Sequence, residues 1–249
     1  MAAFFRDCGK TGQIGEARIN MNPEQKLQVE FNRWAEEGRG EGMEEDHLPI
    51  TEPVLKMMKL QSNHRVLDMG CGAGWASRLL AAQVPQGSVV GIDISDGMIH
   101  RARQSSQHFA NITYRVGSAE KIPWEQNCFD RILSIESFYY YPDQNRALEE
   151  LMRVLAPGGR LFILINLFQE NPYSLRWVGA LGVPVHALSE NEYAAMFRLH
   201  GFEKVEIHHI PDPSPTPEQY SGKWFKNAAE LREFKRIGAL LIMGSKPQS

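Results

Sequence analysis

The chain has 249 residues, of which 43% are hydrophobic, so it is long enough to bury a substantial core. A formal net charge of −3 gives no electrostatic reason to expect nucleic acid or an anionic membrane as a partner. The three cysteines lie far apart and no segment is long and apolar enough to span a bilayer, which argues against a disulfide framework, a thiolate metal site or a membrane anchor. We therefore expect a soluble, cytoplasmic protein without a bound metal.

The first residues show no pattern typical of a folded element. Gly9-Lys10-Thr11 resembles the end of a phosphate-binding loop, but the first glycine of that loop is missing and no strand precedes it. Residues 1–21 are predicted to be a flexible tail.

An N-terminal helical cap, or lid, is predicted over residues 22–60. Asn22 is a plausible N-cap for a helix over Pro23–Glu37, and Pro23 suits its first position. The apolar residues of this helix follow helical spacing: Leu27, Phe31 and Trp34. The glycine-broken, acidic stretch Gly38–Asp46 predicts a mobile loop, and Pro49–Leu60 resumes the helical pattern.

Strand and helix patterns alternate from residue 61 to residue 249. The strand candidates are Arg65–Met69, Ser88–Asp93, Ile112–Gly117, Phe129–Ile135, Gly159–Asn166, Lys204–His209 and Gly238–Met243. The helix candidates are Ala73–Gln83, Asp96–His108, Asp143–Leu155 and Glu190–His200. This order predicts an α/β fold with a doubly wound, mainly parallel sheet, whose ligand lies beyond the carboxyl ends of the strands.

Two features near the C-terminus are expected to be structural. The stretch Pro211–Pro217 neither continues a helix nor pairs in a ladder, so it predicts a stiff surface connection. His208 and His209 are neighbours on a predicted strand and point to opposite faces, which disfavours a shared metal ion.

The sequence VLDMGCGAGW, from Val66 to Trp75, carries the strongest functional signal. A strand that ends in glycines and passes into a helix is typical of a nucleotide-type site. A dinucleotide fingerprint requires a third glycine where Trp75 stands, so that class of cofactor is disfavoured. Asp68 precedes the glycines, and Asp93 ends the next strand, where its carboxylate can accept hydrogen bonds from both hydroxyls of a ribose.

Three further segments add to the signal of the glycine motif: VVGIDISDGMIHRAR, GSAEKIPWEQNCFDRILS and ALEELMRVLAPGGRLFIL. In these four segments together, the chain resembles the class I S-adenosylmethionine-dependent methyltransferases. Among these it is most similar to the small-molecule branch, methyltransferase type 11, which includes quinone and sterol enzymes. The resemblance spans residues 66–164 and implies a seven-stranded sheet with one antiparallel strand and S-adenosyl-L-methionine as cofactor.

The resemblance also implies which residues hold the cofactor. The backbone around Gly70, Cys71 and Gly72 would hold its amino-acid part, and Asp93 its ribose. Ser118 stands where many relatives have an acid that accepts from the adenine amine, and Glu120 is expected to compensate. The complete set of expected cofactor-binding residues is Asp68, Gly70, Cys71, Gly72, Gly74, Asp93, Ile94, Met98, Ser118, Ala119, Glu120 and Ile135. Ordinary core packing remains open for Met98.

The segment SIESFYYYPD resembles the part of sterol-type enzymes where the methyl group emerges, with Glu136 kept and the usual His replaced by Tyr140. Methyl transfer is an in-line displacement that needs a base only if the acceptor carries a proton. Glu136 and Tyr140 are therefore the candidate catalytic residues. A structural carboxylate at Glu136 and packing of at least one of the tyrosines 139–141 remain open alternatives.

The segment Asn166–Leu188 lies where the family often builds its acceptor pocket. It offers Phe168, Tyr173, Trp177 and one cation, Arg176, while packing of an inserted helix would explain the same aromatics. His186 and the acidic loop beside His47 are further candidates for acceptor contacts.

The predicted function is methyl transfer from S-adenosyl-L-methionine to a small organic acceptor, with no nucleic acid or membrane as partner. Two alternatives remain open: a methyltransferase that acts on a macromolecule such as RNA or protein, and a non-catalytic cofactor-binding subunit of a partner chain.

Overall fold

The computed structural model describes residues 21–40, 42–222 and 224–248. The predictions for Gly9–Thr11 and for almost all of the tail lie outside the described residues. A seven-stranded sheet forms the centre of the described chain, in the order β3-β2-β1-β4-β5-β7-β6. Its strands are β1 (Arg65–Met69), β2 (Ser88–Asp93), β3 (Ile112–Val116), β4 (Phe129–Ile135), β5 (Leu155–Ile165), β6 (Glu203–Ile210) and β7 (Ala239–Ser245).

Seven α-helices accompany these strands in the described chain. They are α1 (Pro23–Glu36), α2 (Met43–Met58), α3 (Trp75–Gln83), α4 (Asp96–Ser105), α5 (Gln144–Val154), α6 (Glu190–Leu199) and α7 (Ala228–Ile237). Short 3-10 turns cover Phe138–Tyr140 and Ser174–Ala180. None of these described helices has the length and apolar character needed to cross a membrane.

The strand directions confirm the predicted fold class. Strands β1 to β5 pair in parallel, whereas β7 runs antiparallel to both β5 and β6. Neighbouring residues of one strand, such as Val66 and Leu67, are both buried but belong to different apolar clusters. The sheet is therefore covered on both faces, which is the physical reason why its strands read as continuous apolar runs.

The prediction of a mobile loop over Gly38–Asp46 was wrong for the second half of this stretch. Helix α2 begins at Met43, so Glu44, Glu45 and Asp46 form its first turn. Carboxylates are favourable there because they face the positive end of the helix dipole. Glu44 also forms an ion pair with Arg78 of α3 at 3.3 Å.

Helix α7 has no counterpart among the predicted elements. It begins after Asn227, whose side chain accepts a hydrogen bond from the Glu230 N–H. Leu231 and Phe234 are buried three residues apart on one face. Its pattern is short and follows an irregular, proline-rich stretch, so periodicity alone did not identify it.

Helix α1 begins with a complete capping box between Asn22 and Gln25. Asn32 of this helix accepts hydrogen bonds from the Ser95 hydroxyl at 2.5 Å and the Gly97 N–H at 3.2 Å, and donates to Asp96 at 2.7 Å. These contacts dock α1 on the N-terminus of α4, and so the cap lies over the carboxyl ends of the central strands.

Candidate active site

A cavity of about 930 Å³, including its open mouth, lies at the carboxyl ends of β1, β2 and β4 beneath α1. This is the position that the doubly wound topology predicts for a ligand. Most of the residues that the sequence singled out line it: Asp68, Gly70, Cys71, Gly72, Asp93, Ile94, Met98, Ser118, Ala119, Glu120, Ile135, Glu136 and Tyr140. Gly74 is the one expected cofactor-binding residue that does not.

The glycines after β1 have different surroundings, although Gly70, Gly72 and Gly74 all have positive φ angles of 76°, 52° and 79°. A Cβ atom on Gly70 would lie 2.4 Å from Ser137 Oγ, and one on Gly74 would lie 2.4 Å from Tyr114 Oη. The nearest neighbour of a Cβ on Gly72 is Met43 Sδ, at 3.9 Å. Gly70 and Gly74 thus permit close packing of the protein, whereas Gly72 keeps its backbone open to the cavity.

The Asp93 carboxylate has the arrangement that a ribose requires. Its Oδ2 accepts from the Gly72 N–H and its Oδ1 from the Ser95 N–H, both at 2.9 Å. Burial raises the pKa of Asp93, and the two backbone donors oppose that rise. Each carboxylate oxygen has further lone pairs, so two ribose hydroxyls fit as additional donors.

Asp68 lies deeper, at the end of β1. Its Oδ2 accepts a hydrogen bond from the Ser77 hydroxyl at 2.6 Å, and burial raises the pKa of Asp68 to about 7. A carboxylate in this position fits the amino group of the cofactor's amino-acid part, because a cation there would favour its ionised form.

The loop after β3 carries a linked set of polar groups at the opposite end of the cavity. The Ser118 hydroxyl donates to Glu24 Oε1 of α1 and accepts from the Glu120 N–H at 2.9 Å. Glu120 Oε1 accepts from the Asp143 N–H at 2.8 Å. Burial, together with the charge of nearby Glu24, raises the pKa of Glu120. The sequence did not identify Glu24 as part of this site.

Glu136 is held rigidly at the end of β4. Its backbone adopts a positive φ of 50°, which is uncommon for a residue with a side chain. Its Oε1 accepts from the Asn166 N–H at 2.5 Å and its Oε2 from the Tyr139 hydroxyl at 3.0 Å. Burial raises the pKa of Glu136 to about 7, despite these donors. This carboxyl group therefore has the pKa that suits a general base at neutral pH.

Tyr140 offers its ring to the cavity. The ring packs edge-on against Phe31 at 5.0 Å and Trp34 at 6.2 Å between centroids. Its hydroxyl is buried and makes no hydrogen bond of normal geometry with the described residues. Burial raises the pKa of Tyr140 far above neutral, so the phenol is unsuited to act as a base. The aromatic face is suited to contact a cation such as a sulfonium.

Helices α1 and α2 of the cap form one wall of the cavity, and the sequence analysis identified only some of the residues in it. Helical spacing identified the apolar face of α1, but not that Leu27, Phe31 and Trp34 line a cavity. Met43 and His47 of α2 line it as well. Burial lowers the pKa of His47 to about 4, so the imidazole is neutral at pH 7.

The segment Asn166–Leu188 does not supply the cavity wall that was expected of it. Trp177 packs against Phe234 of α7, with 5.4 Å between ring centroids. Arg176 forms an ion pair with Glu230 at 2.9 Å and stacks over Tyr173 at 5.4 Å. Trp177 turns away from the cavity because the unpredicted helix α7 offers it an apolar face, whereas Phe168 packs against His209 of β6 and Tyr173 against Phe225.

Tyr139 and the histidines other than His47 also lie outside the cavity wall. His186 is exposed, and its backbone N–H donates to Tyr139 O at 2.8 Å. His208 contacts Glu206, whereas His209 contacts Glu190, so the two rings have separate partners. Within the described residues no group of His, Cys, Asp and Glu is arranged to hold a metal ion.

Comparisons with known proteins agree with this geometry. A family model described as a methyltransferase domain matches residues 67–163. A demethylmenaquinone methyltransferase of Staphylococcus carnosus (strain TM300) is 30% identical over 188 residues, which cover 66% of this chain and 78% of that protein. A 27-O-demethylrifamycin SV methyltransferase of Amycolatopsis mediterranei (strain S699) is 31% identical over 209 residues, or 80% of this chain and 73% of that protein.

A solved structure is similar over most of the chain. It comes from a complex between the Haloferax volcanii Trm112 methyltransferase activator and a methyltransferase. The matched chain is 30% identical with a TM-score of 0.83, and the match covers 87% of this chain and 97% of that one.

Proposed function

The chain belongs to the S-adenosylmethionine-dependent methyltransferases, and from this premise we propose that its acceptor is a small, largely apolar organic molecule without an anionic group. The acceptor binds between the cofactor and the cap. Two relatives are named for organic acceptors, demethylmenaquinone and 27-O-demethylrifamycin SV.

The charge of the cavity wall carries this proposal. Five carboxylates line the cavity, and no Lys or Arg of the described residues joins them. They are Glu24, Asp68, Asp93, Glu120 and Glu136. A carboxylate or phosphate on the acceptor would face like charges without a compensating cationic side chain, which is unfavourable in a partly desolvated site. Arg176, the cation expected to read an anionic group, is paired elsewhere.

The aromatic face beneath α1 provides the apolar contact. Phe31, Trp34 and Tyr140 pack together edge-on and all line the cavity. Planar or extended apolar molecules bury well against such rings. The same rings limit the access of water to the reacting atoms.

The proposed reaction is an in-line displacement. The bound cofactor supplies a methyl group activated by a sulfonium. The nucleophilic atom of the acceptor bonds to the methyl carbon as the carbon–sulfur bond breaks and its electron pair stays on sulfur. Glu136 takes the acceptor proton, because its carboxylate is fixed at the cavity wall by Asn166 and Tyr139.

A matched pair of acceptors tests the proposal. The protein is incubated with methyl-labelled S-adenosylmethionine and either a neutral naphthol or quinol, or the same ring carrying a carboxylate. We expect labelled product from members of the neutral series and a kcat/KM at least about tenfold lower for each carboxylated partner, since an unpaired charge costs more than 1.4 kcal/mol. Equal use of both series would contradict the proposed acceptor class.

A second candidate is a methyltransferase that works with a small activator protein. It is favoured by the similarity to the chain that was solved with the Trm112 methyltransferase activator. Purification of the chain with and without a Trm112-type protein tests this hypothesis. A stable complex together with methyl transfer only in that complex would support it, whereas full activity of the isolated chain would exclude it.

A further inference from the structure

We infer that Glu24, on the lid helix α1, is a specificity residue that recognises the amino group of the cofactor's purine base. The inference rests on the proposed cofactor site and extends it to a residue outside the strand-and-loop motifs. It ties recognition of the base to the position of the lid.

The position of Glu24 is the first support. Asp93, the proposed ribose-binding residue, ends β2, and β3 is the next strand outward in the sheet. A base attached to that ribose is therefore expected near Ile94 and the loop after β3. Glu24 reaches this part of the cavity from α1, because its carboxylate accepts a hydrogen bond from Ser118.

The hydrogen-bonding capacity at this end of the cavity is the second support. The single proton of the Ser118 hydroxyl is committed to Glu24, and its oxygen already accepts from the Glu120 N–H. Glu24 Oε2 and Glu120 Oε2 have no hydrogen-bond donor among the described residues, although both side chains line the cavity. An exocyclic amine brings two N–H donors and no charge, so it suits this pair of acceptors.

The charge of the pair is the third support. Burial raises the pKa of Glu120, and the nearby charge of Glu24 adds to that rise, so an additional hydrogen-bond donor between the two carboxylates would be favourable. Hydrogen bonds to an ionised acceptor are stronger than those between neutral groups. Each carboxylate already accepts one hydrogen bond, Glu24 from the Ser118 hydroxyl and Glu120 from the Asp143 N–H, so each has one carboxylate oxygen left for the amine.

The consequence concerns the lid. Glu24 belongs to α1, which also supplies Phe31 and Trp34 to the acceptor side of the cavity. Binding of an amino-purine cofactor thus stabilises the position of α1 in which these rings cover the site. A base without the amino group loses this link.

Calorimetric titration with two ligands tests the inference without measuring turnover. The ligands are S-adenosylhomocysteine and its analogue with hydrogen in place of the 6-amino group. We expect the parent protein to prefer the amino ligand by roughly tenfold or more, the size of a charge-assisted hydrogen bond. Glu24→Gln should reduce this preference to about threefold or less, and Glu24→Asp should do the same because it keeps the charge but shortens the reach.

Glu36→Gln is the matched control, since it makes the same change on the exposed face of the same helix. An unchanged preference in both Glu24 variants would contradict the inference and assign the base to Ser118 or Glu120. If the folded parent bound neither ligand, the proposed function itself would fail, and the inference with it. Melting curves of all variants establish that each is folded.

Discussion

Asn32 and Ser95 join the cap to the wall of the cavity through one short hydrogen bond. The Ser95 hydroxyl donates to Asn32 Oδ1 at 2.5 Å and accepts from the Met98 N–H at 3.0 Å. The same hydroxyl therefore caps α4 and anchors α1. Since Met98 lines the cavity, Ser95 links the position of the cap to the shape of the cavity.

Asn32→Ala should loosen the cap. The change removes three hydrogen bonds between α1 and α4, so we expect hydrogen exchange across Pro23–Glu36 to become about five- to fiftyfold faster, with little change in the sheet. Mass-spectrometric hydrogen exchange measures this.

S-adenosylhomocysteine and the acceptor together should slow hydrogen exchange across Gln25–His47 in the parent protein. Equal protection with and without ligands would reduce the cap to fixed scaffold.

The three glycines of the turn should respond differently to alanine. Each substitution carries a similar cost of about 1–2 kcal/mol for a positive φ. Gly70→Ala and Gly74→Ala should lower the melting temperature further, because the new methyl group overlaps Ser137 or Tyr114. Gly72→Ala should mainly weaken S-adenosylhomocysteine binding. Thermal melts and calorimetry on the three variants separate the effects, and a Gly72 variant that binds as the parent does would remove Gly72 from the cofactor site.

Asp93→Ala should weaken S-adenosylhomocysteine binding by about 1.5–3 kcal/mol, the range for hydrogen bonds to a charged group. Some loss of stability should accompany it, because the Gly72 and Ser95 N–H groups lose their acceptor. Asp93→Asn is the control, since it keeps one acceptor oxygen and should bind at an intermediate strength. Calorimetry provides the affinities. Unchanged binding in both variants would move the ribose elsewhere in the cavity.

Glu136→Gln should lower kcat by about 10²–10⁴ with an acceptor that carries a proton, because the amide cannot take it. Affinity for S-adenosylhomocysteine should stay near that of the parent. Tyr140→Phe should cost less, since it keeps the ring and removes only a buried hydroxyl. Steady-state kinetics with a verified acceptor compares the two. Equal, small effects would mean that neither residue takes part in the chemistry.

The pH dependence of catalysis and of stability should report the ionisation of the Glu136 carboxyl group. The pKa of Glu136 is raised by burial to about 7, and the base form is the active one, so kcat/KM should rise with pH through about 7 and level off roughly one unit above it. Stability should change in the opposite direction. The folded protein retains this proton between its ordinary pKa of 4.5 and about 7, so this group's contribution to the free energy of unfolding falls as pH rises through that window. Glu136→Gln should remove that contribution in pH-dependent denaturation curves.

The aromatic residues of the segment after β5 should matter for stability alone. Trp177→Ala removes a buried ring from the cluster on α7 and should destabilise the protein by about 3–5 kcal/mol without changing the acceptor KM. Phe31→Ala should show the reverse, a higher KM with a smaller loss of stability. Denaturant titration and kinetics distinguish the pair. An altered KM in the Trp177 variant would return this segment to the acceptor site.

The central sheet could be predicted because each strand has its own local signal. Strands β1, β2 and β4 begin and end at the predicted residues, since a strand buried on both faces is apolar throughout and stops at glycine or a charged residue. The start of α2 was misplaced because Gly42 lacks a capping side chain, and a run of acidic residues is typical of both a loop and a first helical turn.

The cavity residues fall into two groups for the same reason. Residues at or just after strand ends are placed by topology: Asp93 could be found from its position at the end of a predicted strand, and Glu136 from the family resemblance of the segment after β4. Glu24 is far away in sequence, and its contact with Ser118 depends on how α1 docks across the sheet. No local pattern records such a contact, because packing between distant elements decides it.

The position of β7 has a consequence for how the chain acquires its fold during synthesis. β7 follows β6 in sequence but lies between β5 and β6 in the sheet. Until Ala239–Ser245 leave the ribosome, β6 has no strand to pair with and β5 keeps one edge open. The strand that joins β5 to β6 is therefore synthesised after both of them. Until it emerges, the nascent chain exposes the open edge of β5 and an unpaired β6 to chaperones or to aggregation.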